Sequence, residues 1–244
     1  MNQRQTQDKP REFCGLFGVY GVEDPASTIY AGLFALQHRG QEGAGIVVSD
    51  GNKVRSRKAL GLVGELAEKN LSDQLAGHLG IGHVRYSTTG SNRVQNVQPM
   101  VVECLDGIWS IAHNGNLVNA RTLRQAYQEA GAIFQTSTDS EILLHLIADP
   151  MYRSRPRRVE RALNELRGAF SFLIMTKDKV MAARDPYGVR PLSIGQLGDG
   201  FVFASETCAL DQVGAKYVRD VLPGEIVTVD EKGLRSSSFC EPVA

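Results

Sequence analysis

Cys14 is followed by Gly15 at the point where a polar stretch, residues 1–12, gives way to an apolar run. A thiolate is a strong nucleophile, but a thiol with its usual pKa near 8.5 is mostly protonated at neutral pH and needs a base. If the chain were cut before Cys14, that residue would carry its own base. An α-amine with a pKa of about 7.7–8.0 can take the thiol proton directly or through a water. The alternative is a small buried hydrophobe, because free cysteines are commonly packed inside.

A nucleophile that attacks an amide needs donors for the oxyanion it creates. His113-Asn114-Gly115-Asn116 offers an amide side chain and a glycine N–H side by side. Asn-Gly ordinarily makes a turn, so the spacing predicts a turn at the end of a strand over 108–113. The run from Gly80 to Gly90 reads as an apolar strand entering a hydroxyl-rich loop. There Arg85 can grip a carboxylate in bidentate fashion and Thr88 can add a hydroxyl; otherwise Arg85 makes a surface pair worth little. In Thr136-Ser137-Thr138-Asp139-Ser140-Glu141, Thr138 and Glu141 have capping-box spacing, and Asp139 falls in the first helical turn, where the dipole favours an anion. The other use of Asp139 is to hold a ligand ammonium. Arg85 and Asp139 together would match the two charges of a free amino acid.

His38-Arg39-Gly40-Gln41 closes the first helix, with Gly40 as its C′ residue. Arg184-Asp185-Pro186-Tyr187-Gly188-Val189-Arg190-Pro191-Leu192 is a turn-rich link that reads as architecture. The five histidines lack metal-ligand spacing and the glycines do not form a phosphate loop. No metal site is predicted.

These residues must be positioned by short strands. Leu16–Tyr20, Gly45–Val48, Gly80–Val84, Ile108–His113, Ala169–Thr176, Lys179–Ala183, Phe201–Ala204 and Glu225–Val229 are β-branched or aromatic runs bounded by Gly, Asp or Asn. Hairpin loops are expected at Thr176–Lys179 and Leu197–Gly200. Helices are expected over Thr28–Leu36, after Asn119, after Thr138 and over Val159–Leu166. Helices grouped between hairpins, without strict alternation, predict an α+β domain of antiparallel sheets covered by helices. Residues 1–12 read as a leader, and no second linker or repeat interrupts the rest.

Composition narrows the function classes. The 244 residues carry 27 basic and 27 acidic side chains, so the net charge is zero. That disfavours a general binder of nucleic acid or anionic membrane. No apolar run approaches the ~20 residues of a membrane span, and the N-terminus is not a signal peptide. The four cysteines, Cys14, Cys104, Cys208 and Cys240, form neither a disulfide framework nor a zinc pattern, which makes a reducing cytoplasm the expected compartment.

In order along the chain, Cys-Gly-Leu-Phe-Gly, Gln-His-Arg-Gly-Gln-Glu-Gly-Ala-Gly, Gly-His-Val-Arg-Tyr-Ser-Thr-Thr-Gly, His-Asn-Gly-Asn-Leu-Val-Asn, Thr-Ser-Thr-Asp-Ser-Glu and Arg-Asp-Pro-Tyr-Gly-Val-Arg-Pro-Leu make a specific series. From Cys14 to about Glu225 the chain resembles the class II glutamine amidotransferase domain of the amidophosphoribosyltransferase family. That resemblance implies an N-terminal-nucleophile hydrolase fold, a four-layer αββα sandwich of two mainly antiparallel sheets. It implies hydrolysis of L-glutamine through a Cys14 thioester, with ammonia passed on to form phosphoribosylamine from phosphoribosyl pyrophosphate in purine biosynthesis. It assigns Asn114 and Gly115 as oxyanion donors, and Arg85, Thr88 and Asp139 as holders of the glutamine α-groups. Arg39 becomes an organiser near the nucleophile. It makes Met1–Phe13 a cleaved propeptide, although Phe13 stands where an acidic residue or an initiator Met is expected. The domain is then 14–244. A phosphoribosyltransferase domain is expected outside this chain, with Mg2+ belonging to that half, as does the iron–sulfur cluster in those relatives that carry one; no cluster is assigned from Cys240, and no cofactor is expected in this chain. The full-length enzyme is expected to be a homo-oligomer. Two other readings stay open: the glutaminase of another class II amidotransferase, and a non-catalytic glutamine-binding module that keeps its leader.

Overall fold

The computed structural model describes residues 14–67, 70–86 and 93–243. The elements run β1 (Gly15–Tyr20), α1 (Pro25–Ala35), β2 (Gly43–Ser49), β3 (Val54–Leu60), α2 (Leu71–Gln74), β4 (Leu79–Arg85), β5 (Met100–Cys104), β6 (Gly107–Leu117), α3 (Ala120–Glu129), α4 (Glu141–Ala148), α5 (Pro150–Arg153), α6 (Arg158–Glu165), β7 (Gly168–Met175), β8 (Val180–Arg184), β9 (Ser193–Leu197), β10 (Gly200–Ala204), α7 (Thr207–Gln212), β11 (Lys216–Asp220), β12 (Glu225–Asp230) and β13 (Gly233–Ser238). One sheet has the order β11-β9-β10-β1-β4-β2-β3 and the other β13-β12-β8-β7-β6-β5. The pairings described in both sheets are antiparallel.

Strand alternation sorts the core into three parts. Phe17 and Val19 of β1 face α1, where they meet Ile29 and Leu33. Leu16 of β1 and Ile81 of β4 face the other sheet, where they meet Ala112, Leu173 and Val227. The outer face of the second sheet, with Ile111, Phe170 and Phe172, is covered by Ile142, Leu146, Val159 and Leu163 of α4 and α6. The order of layers is helix, sheet, sheet, helix. Asp24 caps α1, accepting from Ser27 N at 3.1 Å, with Pro25 at the first helical position.

Several local expectations need correction. Strand β6 does not stop at His113. It runs on through Asn114-Gly115 to Leu117, paired with β7. Asn-Gly is therefore inside a strand, because eight ladder pairs outweigh a two-residue turn preference. The capping box does not form: the residue at the α4 N-cap is Ser140, and Asp139 precedes the helix. The Glu141 carboxylate instead accepts from Gln135 N at 2.6 Å and Thr136 N at 2.8 Å, tying down the preceding loop. Asn119 does stand at the α3 N-cap, but its side chain is spent on Glu165 O and Arg167 N. Gly40 is extended, φ −165°, and not a left-handed C′ residue. A Cβ there would lie 2.6 Å from the Arg85 carbonyl carbon, so its glycine serves close approach.

Candidate active site

The candidate nucleophile immediately precedes strand β1. One step beyond the Gly15–Val84 pair, Cys14 stands opposite Arg85 at the end of β4. Arg39 clamps the Cys14 backbone from both sides. Its carbonyl accepts from Cys14 N at 3.1 Å and its Nε donates to Cys14 O at 2.7 Å. The Arg39 guanidinium also pairs with Glu206, which takes His38 Nε2 at 3.0 Å on its other oxygen. Burial works to raise the Glu206 pKa, but Arg39 and His38 outweigh it and hold the carboxyl below its usual range. The Cys14 Sγ donates to Tyr86 O at 3.5 Å. Burial pushes the thiol up to about 11, against the opposing pull of that bond and of the Arg85 and Arg39 charges. The thiol stays protonated at neutral pH unless a base is supplied.

The second sheet carries the candidate donors. Strand β5 pairs with β6 only as far as Met100 opposite Ile111, so among the described residues the β6 edge beyond Ile111 has no strand beside it. Side chains complete it. His113 N donates to Gln98 Oε1 at 2.7 Å, and Leu117 N donates to Asp139 Oδ2 at 2.9 Å. Between them lies Gly115. Its partner Phe170 spends both peptide groups on Asp185, the N–H on Oδ2 at 3.2 Å and the C=O on the Asp185 N–H at 2.9 Å. Paired residues in an antiparallel ladder either exchange both bonds or both turn away. The Gly115 N–H therefore points to the open edge. Gly115 has φ 153°, and a Cβ there would overlap the Ala169 carbonyl oxygen, so no other residue fits.

Asn114 faces the interlayer, two residues on from Ala112. It is fully buried, yet neither oxygen nor nitrogen of its carboxamide has a hydrogen-bond partner among the described residues. An unmade bond of this kind costs about 1–3 kcal/mol. Arg85 is also buried, with Nη1 unpartnered among the described residues. Asp139 is half-buried at 3.6 Å from His113 Nδ1. Burial would raise its pKa, but the His113 imidazole and the N–H groups of Leu117 and Ser140 hold it below the usual carboxylate range. The charges of Arg85, Arg39 and Asp139 all act on the Cys14 thiol. The site thus gathers Cys14, Arg39, Arg85 and Asp139, and Asp139 also binds the β6 edge at Leu117, two residues on from Gly115.

Thr88 and the leader Met1–Phe13 lie outside the described residues. Arg184–Leu192 is architectural: the buried Asp185 carboxylate accepts from Tyr187, Val189 and Arg190 N–H, and Arg184 donates to three carbonyls. Sequence reasoning missed Gln98, His83 and Glu206; a buried Gln or a helix-flanking Glu carries no local signal. Among the described residues no group of three or more His, Cys, Asp or Glu could hold a metal ion. No helix among these residues is long and apolar enough to cross a membrane.

Comparison with known proteins agrees with this fold. A model of the glutamine amidotransferase domain matches residues 83–212. The amidophosphoribosyltransferase of Bacillus subtilis (strain 168) is 47% identical over 229 residues, 93% of this chain and 48% of that protein. The chloroplastic amidophosphoribosyltransferase 1 of Arabidopsis thaliana is 49% identical over 234 residues, 95% of this chain and 41% of that protein. The solved glutamine phosphoribosylpyrophosphate amidotransferase of B. subtilis superposes with TM-score 0.85 at 45% identity, over 93% of this chain and 49% of that one. The chain spans about half the length of the curated relatives it matches.

Proposed function

This chain belongs to the glutamine amidotransferase domain family, and on that premise we propose that it hydrolyses L-glutamine to L-glutamate and ammonia with Cys14 as nucleophile. The observation that carries the reading is the buried carboxamide of Asn114, unpartnered among the described residues, beside the outward N–H of Gly115, while Cys14 immediately precedes β1 in the facing sheet. Two donors held ready for an oxyanion, at the cost of an unmade bond, are what amide hydrolysis requires.

Removal of residues 1–13 frees the Cys14 amine. The amine takes the thiol proton as sulfur bonds to the glutamine amide carbon, and the carbonyl electron pair moves onto the oxygen held by Asn114 and Gly115. The amine then returns the proton to the leaving nitrogen. The C–N bond breaks, ammonia departs and a glutamyl thioester remains. Water attacks the thioester by the same route and releases glutamate. Arg85 and Thr88 receive the substrate α-carboxylate and Asp139 its α-ammonium. A peptide-bound glutamine would leave both charges unpaired, which disfavours it. Arg39 holds the Cys14 backbone while Glu206 holds Arg39.

In the whole enzyme the ammonia goes to phosphoribosylamine formation from phosphoribosyl pyrophosphate, on a phosphoribosyltransferase domain of a homo-oligomer in the cytoplasm. The names and double length of the relatives support this half of the reading. Any Mg2+ or iron–sulfur cluster belongs to that other domain. The test is ammonia release from glutamine by the chain and by Cys14→Ala. The variant is expected to keep its circular dichroism and lose turnover; retained turnover would move the nucleophile elsewhere.

A further inference from the structure

His83 lies in the middle of the sandwich, on the β4 face that carries Ile81 toward the other sheet. It is fully buried, and its Nε2 stands 3.1 Å from the His113 carbonyl oxygen. A carbonyl only accepts, so His83 donates through Nε2. Burial holds its pKa near 3, against the pull of that bond, so the ring is neutral and its Nδ1 is a bare acceptor. That atom has no partner among the described residues. An apolar side chain would fill the same interlayer space without an orphaned nitrogen, so packing does not explain a histidine here.

The open edge of β6 does. His113 is the first residue after β5 ends whose peptide groups face that edge. Gln98 takes its N–H and His83 takes its C=O, so two side chains from different segments replace the missing strand. The next two residues are Asn114 and Gly115. We propose that His83 is a positioning residue for glutamine hydrolysis: its Nε2–H, held across the two sheets on the His113 carbonyl, sets the path of β6 so that the Asn114 carboxamide and the Gly115 N–H meet the oxyanion. The proposal rests on the glutaminase reading for its kinetic consequence but not for its structural one.

The test compares wild type with H83F, which fills the space without a donor, and H83Q, which returns an N–H at similar reach. Amide hydrogen exchange at His113 and Leu117 reads the β6 edge; glutamine kinetics read the oxyanion. In H83F exchange at both amides is expected to quicken at least about tenfold, and kcat to fall roughly 10- to 100-fold with KM within about threefold, because misplaced donors cost the transition state and not substrate binding. H83Q recovers most of both. If H83F does not fold, H83L is carried through the same assays. Unchanged exchange in the donor-less variant, or a H83Q protein as impaired as H83F, would overturn the proposal. A wild-type chain that releases no ammonia would sink the glutaminase reading alone, because the exchange comparison still decides the role of His83.

Discussion

A thiol held near 11 is a poor nucleophile, and this frames the chemistry at the residue scale. With Cys14 still peptide-bonded, roughly one thiol in a thousand is ionised at pH 8. Alkylation of the leader-bearing chain by iodoacetamide is therefore expected to stay slow through pH 7–9 and to climb only toward pH 11. Removal of residues 1–13 is expected to raise the neutral-pH rate at Cys14 at least about tenfold, because an amine then shares the proton; equal rates before and after would remove the amine from the mechanism. Asp139 stays ionised above its depressed pKa, so Asp139→Asn is expected to lower kcat/KM for glutamine about 100-fold across neutral pH, while leaving the fold intact by circular dichroism. Cys14, Arg85, Asp139 and Asn114 were legible as residue types whose chemistry fits together. His83, Gln98 and Glu206 were not, because their partners are backbone and side-chain groups brought near only by the fold.

At the scale of elements, the site exists because β5 is shorter than β6. That difference leaves an edge on which the N–H groups of His113 and Leu117 are satisfied by side chains and the N–H of Gly115 faces outward, free to serve the proposed oxyanion. The sequence showed the Asn-Gly pair but not its setting. A turn was expected and a strand is present, since pairing with β7 is a long-range interaction that no local pattern encodes. The edge strands β3, β11 and β13 were also illegible: they carry the polar side chains that exposed edges favour and show no apolar alternation. The loop before α4 depends on Glu141, whose carboxylate takes two backbone N–H groups and the Thr136 hydroxyl. Burial would raise its pKa, but His145 and these donors hold it at about 2. A depressed carboxylate stabilises the fold above its unfolded pKa, and this contribution is lost as pH falls through the folded value. The difference in Tm between wild type and Glu141→Gln is accordingly expected to be widest above about pH 4.5 and to shrink toward pH 2. A difference that does not change with pH would show that the charge is not what holds the loop.

At the scale of the molecule, the proposed nucleophile immediately precedes β1 of one sheet and the proposed oxyanion donors lie on the other, so the packing between the sheets sets their separation. Leu173 lies in that interlayer, against Leu16 and Ile81. Leu173→Ala is expected to cost about 2–5 kcal/mol, read as a Tm lower by roughly 2–4 °C per kcal/mol for a chain of this size. Turnover measured well below the new Tm is expected to fall further than the folded fraction does. The layered α+β class was legible from strand spacing and grouped helices; which face of each strand met which layer was not.

The most direct measurement of the central claim is peptide mapping of the active chain after rapid acid quench with glutamine. The account predicts that Cys14 is the first residue and that the glutamyl group sits on its sulfur as a thioester. An active chain in which residue 13 is still bonded to Cys14, or in which the acyl group sits on another residue, would contradict it.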